Sequence, residues 1–70
     1  MRTWEREGYT VVEKEFDYDL HEFEVVKGEE VVATITPSDI ENMNEIIEAL
    51  DAGEDVNGWE DGSGNTISVK

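Results

Sequence analysis

Apolar and charged positions alternate from Tyr9 onward, and the period lengthens after Thr36. Tyr9 to Tyr18 carries Val11, Val12, Phe16 and Tyr18 among charged residues, which suits a strand. Leu20 to Val26 is a second predicted strand and Glu30 to Thr36 a third. Asp17-Tyr18-Asp19 supplies the first turn, and Lys27-Gly28-Glu29-Glu30 the second. Gly28 takes the positive φ that a tight hairpin needs. Beyond Thr36, Ile40, Met43, Ile46, Ile47 and Leu50 recur at helical spacing. Glu41, Glu45 and Glu48 fall on the opposite side of the same helix. Thr36-Pro37-Ser38-Asp39 reads as an N-cap, a proline at the first helical position and an acid at N3. Gly53 closes the helix, so its expected span is Pro37 to Asp51.

In the tail, Thr66 to Val69 reads as a last strand, with Val56 and Trp59 in a short strand before it. The glycine-rich run Asp61 to Asn65 between them is a loop. The expected fold class is α+β. Residues 1–70 form one small domain, an antiparallel sheet with one helix packed on one face, in the order β-β-β-α-β.

Pairing the first two strands with Phe16 opposite His21 sets Lys14 against Phe23 and Val12 against Val25. The other face then brings Glu15 to Glu22, Glu13 to Glu24 and Val11 to Val26. This register separates an apolar face (Val12, Phe16, Phe23, Val25) from an acidic one (Glu13, Glu15, Glu22, Glu24). Like charges opposite each other repel, so replacing Glu13 and Glu24 with Gln is expected to leave stability equal or slightly higher. A third strand with Val31 opposite Val26, Val32 opposite Val25 and Ala33 opposite Glu24 leaves Val11, Val26, Val31 and Ala33 facing away from the helix. An apolar patch rimmed by one sign of charge is a common form of contact surface. The candidate partner-binding residues are therefore Glu13, Glu15, Glu22, Glu24, Val11, Val26 and Val31.

Charge changes the picture more than length does. The 70-residue chain carries 19 Asp and Glu against 5 Lys and Arg, a formal net charge of -14. No Lys or Arg occurs from Gly28 to Val69. Direct binding to nucleic acid or to an anionic membrane needs cations, so neither is expected. High charge favours disorder, but the apolar residues are too regularly placed for an unfolded chain. The N-terminal Met1-Arg2-Thr3-Trp4-Glu5-Arg6 leads into no apolar h-region, and no apolar run approaches the ~20 residues of a membrane span. With no cysteine there is no disulfide framework or thiolate site. A cytoplasmic protein without cofactor is the expectation.

Catalytic signals are weak. His21, the one histidine, sits in a predicted strand beside Asp19 and Glu22 with no nucleophile at a telling spacing. Asp61, Ser63 and Asn65 have the spacing of the first calcium-loop ligands. However, position 66 is Thr where glycine is required, and the chain ends before a twelfth-position glutamate. Gly58, Gly62 and Gly64 lack the lysine of a phosphate loop. Met43 is expected to pack in the core, Trp59 reads as a core plug or an exposed interface anchor with core the better fit, and no enzyme activity is expected.

The ending Gly58-Trp59-Glu60-Asp61-Gly62-Ser63-Gly64-Asn65-Thr66-Ile67 resembles the tails of small proteins from Gram-positive bacteria and their phages. Size, charge and the sheet-plus-helix order are similar to those of phage inhibitors that mimic DNA, such as uracil-DNA glycosylase inhibitors and some anti-CRISPR proteins. The Glu-Ser-Ile segment of uracil-DNA glycosylase inhibitors is missing, which points away from that target. The resemblance implies an acidic protein that mimics nucleic-acid charge to block a basic nucleic-acid-binding partner. A second reading is a structural or regulatory module that uses the apolar sheet patch for a homodimer or another protein, with acidity giving only solubility. A third is adaptation to high salt.

Overall fold

The structure is a computed structural model, and it describes residues 1–69. Four strands form one antiparallel sheet in sequential order: β1 (Thr3–Arg6), β2 (Tyr9–Glu15), β3 (His21–Lys27) and β4 (Glu30–Ile35). Helix α1 (Ile40–Asp51) follows. The expected α+β class and the helix position hold. The first strand is an addition to the expected order. The expected Thr66 to Val69 strand is reduced to a bridge between Glu60 and Thr66.

β1 exists because Glu7-Gly8 turns the chain back, with Gly8 at φ 90°. Its register sets Trp4 opposite Val11, and the Trp4 ring lies 5.9 Å from that of Phe23. Trp4, Tyr9, Val11, Phe23, Val25 and Ile35 thus line the inward face of the sheet. Leu50 of the helix and Val56, Ile67 and Val69 of the tail complete the core.

The β2–β3 register corrects the expected one by a single residue. Val11 pairs with Val25, Glu13 with Phe23 and Glu15 with His21. Residues 16–20 form the connection, where the amides of Phe16 and Asp17 both donate to the Leu20 carbonyl. Phe16 is therefore in the loop rather than opposite His21. A one-residue slip turns every side chain of a strand to the other face. Val11 is fully buried (0 % exposed), and Glu13 is buried (5 %).

β4 begins as expected after Gly28, which has φ 68°. Val31 pairs with Val26 as anticipated, but a bulge makes Val32 the extra residue and sets Ala33, not Val32, opposite Val25. Ala33 consequently packs against the core, and Thr34 takes the place opposite Glu24.

The helix starts three residues later than its sequence suggested. Asp39 is the N-cap, accepting from the Asn42 amide at 2.7 Å, while the Asn42 side chain accepts from the Ser38 amide at 3.1 Å. Asp39 rather than Thr36 caps the helix, and the Thr36 amide donates to the Asp61 carbonyl at 3.0 Å, tying the segment after β4 to the tail. Ile40 is correspondingly exposed, and Leu50 is the one fully buried helix residue, with Met43, Ile46 and Ile47 half-buried. The last turn holds no basic residue of its own. Arg6 fills that role from β1, its guanidinium donating to the Leu50 carbonyl at 2.6 Å and to the Glu54 carbonyl at 3.1 Å.

Candidate functional site

The seven residues singled out in the sequence do not share one surface. Val11 and Glu13 face the helix and are buried, and Glu15 lies on that same side at the end of β2, exposed. Glu22, Glu24 and Val26 face outward from β3, and Val31 joins them as an exposed residue of β4. The outward face is no uniform row of acids, because Lys14 stands opposite Glu22 and Val12 opposite Glu24. Its apolar part consists of half-buried Val12 and Val26, with exposed Val31 and Val32 toward the free edge of the sheet.

Glu13 has an internal role. One carboxylate oxygen accepts from the Arg2 amide at 3.0 Å, and the other lies 2.7 Å from His21 Nδ1. The backbone adds a bond from the Glu13 amide to the Arg2 carbonyl at 2.9 Å. Burial acts to raise the pKa of this carboxyl. The hydrogen bonds from His21 and Arg2, with their positive charges, more than offset it, so the group is held below its ordinary value. The His21 amide in turn donates to the Met43 sulfur of the helix at 3.3 Å. Glu13 therefore ties the N-terminal arm to β2 and β3, and His21 carries the tie to α1. A shallow depression beside the pair is lined by Met1, Arg2, Asn44 and Ile47, with no Ser, Thr, Cys or Lys among its lining residues. The arrangement offers an acid–base pair without a nucleophile.

Two other acids are also structural. Asp51 accepts from the Trp4 indole N–H at 2.8 Å, and Asp55 accepts from the Tyr9 hydroxyl at 2.9 Å. Burial, opposed by the Val56 amide and reinforced by Asp55, raises the Tyr9 phenol above its ordinary value and keeps it a donor. Asp61 accepts from the Ser63 and Asn65 amides at 2.8 and 3.2 Å, so it organises its own loop. Among the described residues, no group of three His, Cys, Asp or Glu is placed to hold a metal ion.

Five further glutamates lie on the side of the molecule formed by α1 and the tail. Glu41, Glu45 and Glu48 are exposed along the helix, at i, i+4 and i+7. Glu54 and Glu60 are exposed beyond its end. None of these five is paired with a cation among the described residues. A groove of about 690 Å³ runs between the helix and the tail. Buried Ile35 and Pro37 and half-buried Ile46, Ala49 and Trp59 form its apolar floor. Glu45, Glu54 and Glu60 stand among its lining residues, and no Lys, Arg or His does. Trp59, expected in the core, packs on the core with one side and lines this groove with the rest.

Sequence reading missed the loop between β2 and β3 as a surface feature. Tyr18 is 98 % exposed and Phe16 is 51 % exposed. The signal was available in the acids flanking Tyr18, since Asp17 caps the Tyr18 amide at 2.8 Å and holds the residue in a turn. No described helix is long and apolar enough to cross a membrane. No family model, no curated protein and no solved structure matches the chain.

Proposed function

We propose that this is a small acidic interaction protein that occupies the nucleic-acid-binding site of a basic protein partner. The observation that carries the reading is the segregation of charge. From Gly28 to Val69 no Lys or Arg interrupts the acids, and the exposed helix and tail glutamates form no ion pair among the described residues. Such a surface has a self-repulsion that a cationic groove relieves, and it steers association with a basic partner. Exclusion of nucleic acid from that partner follows directly, because the two negative surfaces compete for one set of Lys and Arg side chains.

The working face under this reading is the helix–tail side rather than the β2–β3 hairpin. Glu13 is committed internally, and Lys14 breaks the acidic row on the outward sheet face. The phage-inhibitor character suggested by the tail sequence is compatible with this role and adds no residue to it.

A second reading draws on exposed Val31 and Val32 at the free β4 edge, which suit a homodimer or a neutral protein partner. A competition experiment separates the two. Basic nucleic-acid-binding proteins captured on the immobilised protein at low salt are tested for release of labelled DNA or RNA when free protein is added. Displacement that weakens steeply between about 50 and 500 mM NaCl supports the mimic. Concentration-dependent self-association that persists at high salt, without displacement, supports the edge-mediated module.

A further inference from the structure

We infer that the groove between α1 and the tail is a docking site for an arginine- or lysine-bearing segment of a protein partner. The inference rests on the proposed function and goes further by naming the site and the side chains it receives.

Two features of the groove select the same ligand. Its floor is apolar, with Pro37, Ile46 and Ala49 beside the Trp59 ring. Its acids, Glu45 from the helix and Glu54 and Glu60 from the tail, approach from two sides without a cation among the lining residues. Lysine and arginine combine an apolar stem with a cationic head, so the stem covers the floor while the head reaches the carboxylates. A tryptophan ring adds attraction for the cation when the two stack. An apolar segment would leave three carboxylates facing it, and an anionic one would be repelled. The groove is open to solvent and lined by separate segments of the chain, so it suits an extended run of residues rather than a lone ion.

The walls of the groove are held in place. The Thr36 amide bonds the Asp61 carbonyl, and the Trp59 carbonyl accepts from the Ile67 amide at 2.7 Å. Gly62 has φ 88°, and a Cβ there would overlap the Thr36 carbonyl oxygen, so the tail sits directly against the segment after β4. A preformed groove loses less entropy on binding than a loop that must order.

The test titrates an acetylated, amidated hexa-arginine peptide into the full-length protein, followed by tryptophan fluorescence and calorimetry. A hexa-glutamine peptide serves as the neutral control. Two triple variants of equal net charge are compared, Glu45→Gln/Glu54→Gln/Glu60→Gln and Glu15→Gln/Glu22→Gln/Glu24→Gln, with folding checked by circular dichroism. The inference predicts that the first triple weakens hexa-arginine binding by about tenfold or more and the second by about twofold or less. Ala49→Phe, which fills the groove and leaves every acid in place, is expected to weaken binding as well. Equal loss in both triples with no effect of Ala49→Phe overturns the groove while leaving an acidic protein that binds cations diffusely. Failure of the wild type to bind hexa-arginine at low salt removes both the groove and the proposed function.

Discussion

We predict that Glu13→Ala destabilises the protein by about 2–3 kcal/mol. The side chain is buried and accepts two hydrogen bonds, from the Arg2 amide and from His21. A hydrogen bond to a charged group contributes ~1.5–3 kcal/mol, and breaking a buried ion pair costs ~3–5 kcal/mol. His21 has 31 % of its side chain exposed, so it regains water when its partner is removed and the pair counts for less than a buried one. In a domain of this size each kcal/mol moves the melting temperature by ~4–8 °C, which gives a drop of roughly 10–20 °C. Thermal and urea melts followed by circular dichroism measure it. Glu13→Gln keeps an acceptor for the Arg2 amide but loses the charge facing His21, and is expected to cost about 1 kcal/mol. Glu15→Gln, on an exposed neighbour, should stay within ~0.5 kcal/mol. The pH dependence has a definite sign. The Glu13 carboxyl titrates lower in the folded state than unfolded, so its stabilisation is complete above its unfolded value of ~4.3 and is lost as pH falls through the folded value. The difference between wild type and Glu13→Gln should therefore shrink on acidification below about pH 4. A Glu13→Ala melt within about 2 °C of wild type would refute the reasoning, and the register with Glu13 facing solvent would regain its claim.

Three further outcomes follow from the packing and the charge. Leu50→Ala should cost ~2–5 kcal/mol and Ile47→Ala less, because Leu50 is 1 % exposed while Ile47 is only half-buried; urea titration of both variants checks the order. Gly62→Ala should destabilise by more than ~1 kcal/mol through its positive φ and the overlap with Thr36, with faster hydrogen exchange at the Thr36 amide as the local signature. Added NaCl should raise the melting temperature of the free protein, since screening to ~10 Å at 0.1 M relieves repulsion among 19 acids set against 5 cations. A melting temperature independent of salt would mean that the acids are compensated one by one.

Local signals in the sequence located most elements. The Gly28 turn, the apolar recurrence through Ile46, Ile47 and Leu50, and the stop at Gly53 each depend on neighbours within a few residues, and each holds. Register is a tertiary property, and there the pattern was ambiguous. Val11 and Val12 are both apolar, so either face of β2 could turn inward, and Phe16 favoured the wrong one. The decisive partner was Trp4, whose strand of four residues is too short to show a period. Burial of Glu13 was illegible for the same reason, because its partners Arg2 and His21 are brought to it by two separate strand pairings. The helix N-cap lies at Asp39 rather than Thr36, and Thr36 instead bonds through its amide to Asp61 of the tail, a contact that local capping rules do not contain. The groove could be read only in its charge. Its acids were visible along the helix and tail, whereas the placing of Ala49 and Trp59 in one groove required the fold.

Under the proposed function the helix–tail side, rather than the sheet, meets a basic partner. The most direct measurement is a two-dimensional ¹H–¹⁵N NMR titration of the protein with a cationic peptide, read residue by residue. The account predicts shifts at the Trp59 indole N–H and at the amides of Glu45, Ala49, Glu54 and Glu60, with those of Glu22, Glu24 and Val26 unmoved. Shifts confined to Glu22, Glu24, Val26 and Val31, with the Trp59 indole unmoved, would contradict it and return the working surface to the outward face of the sheet.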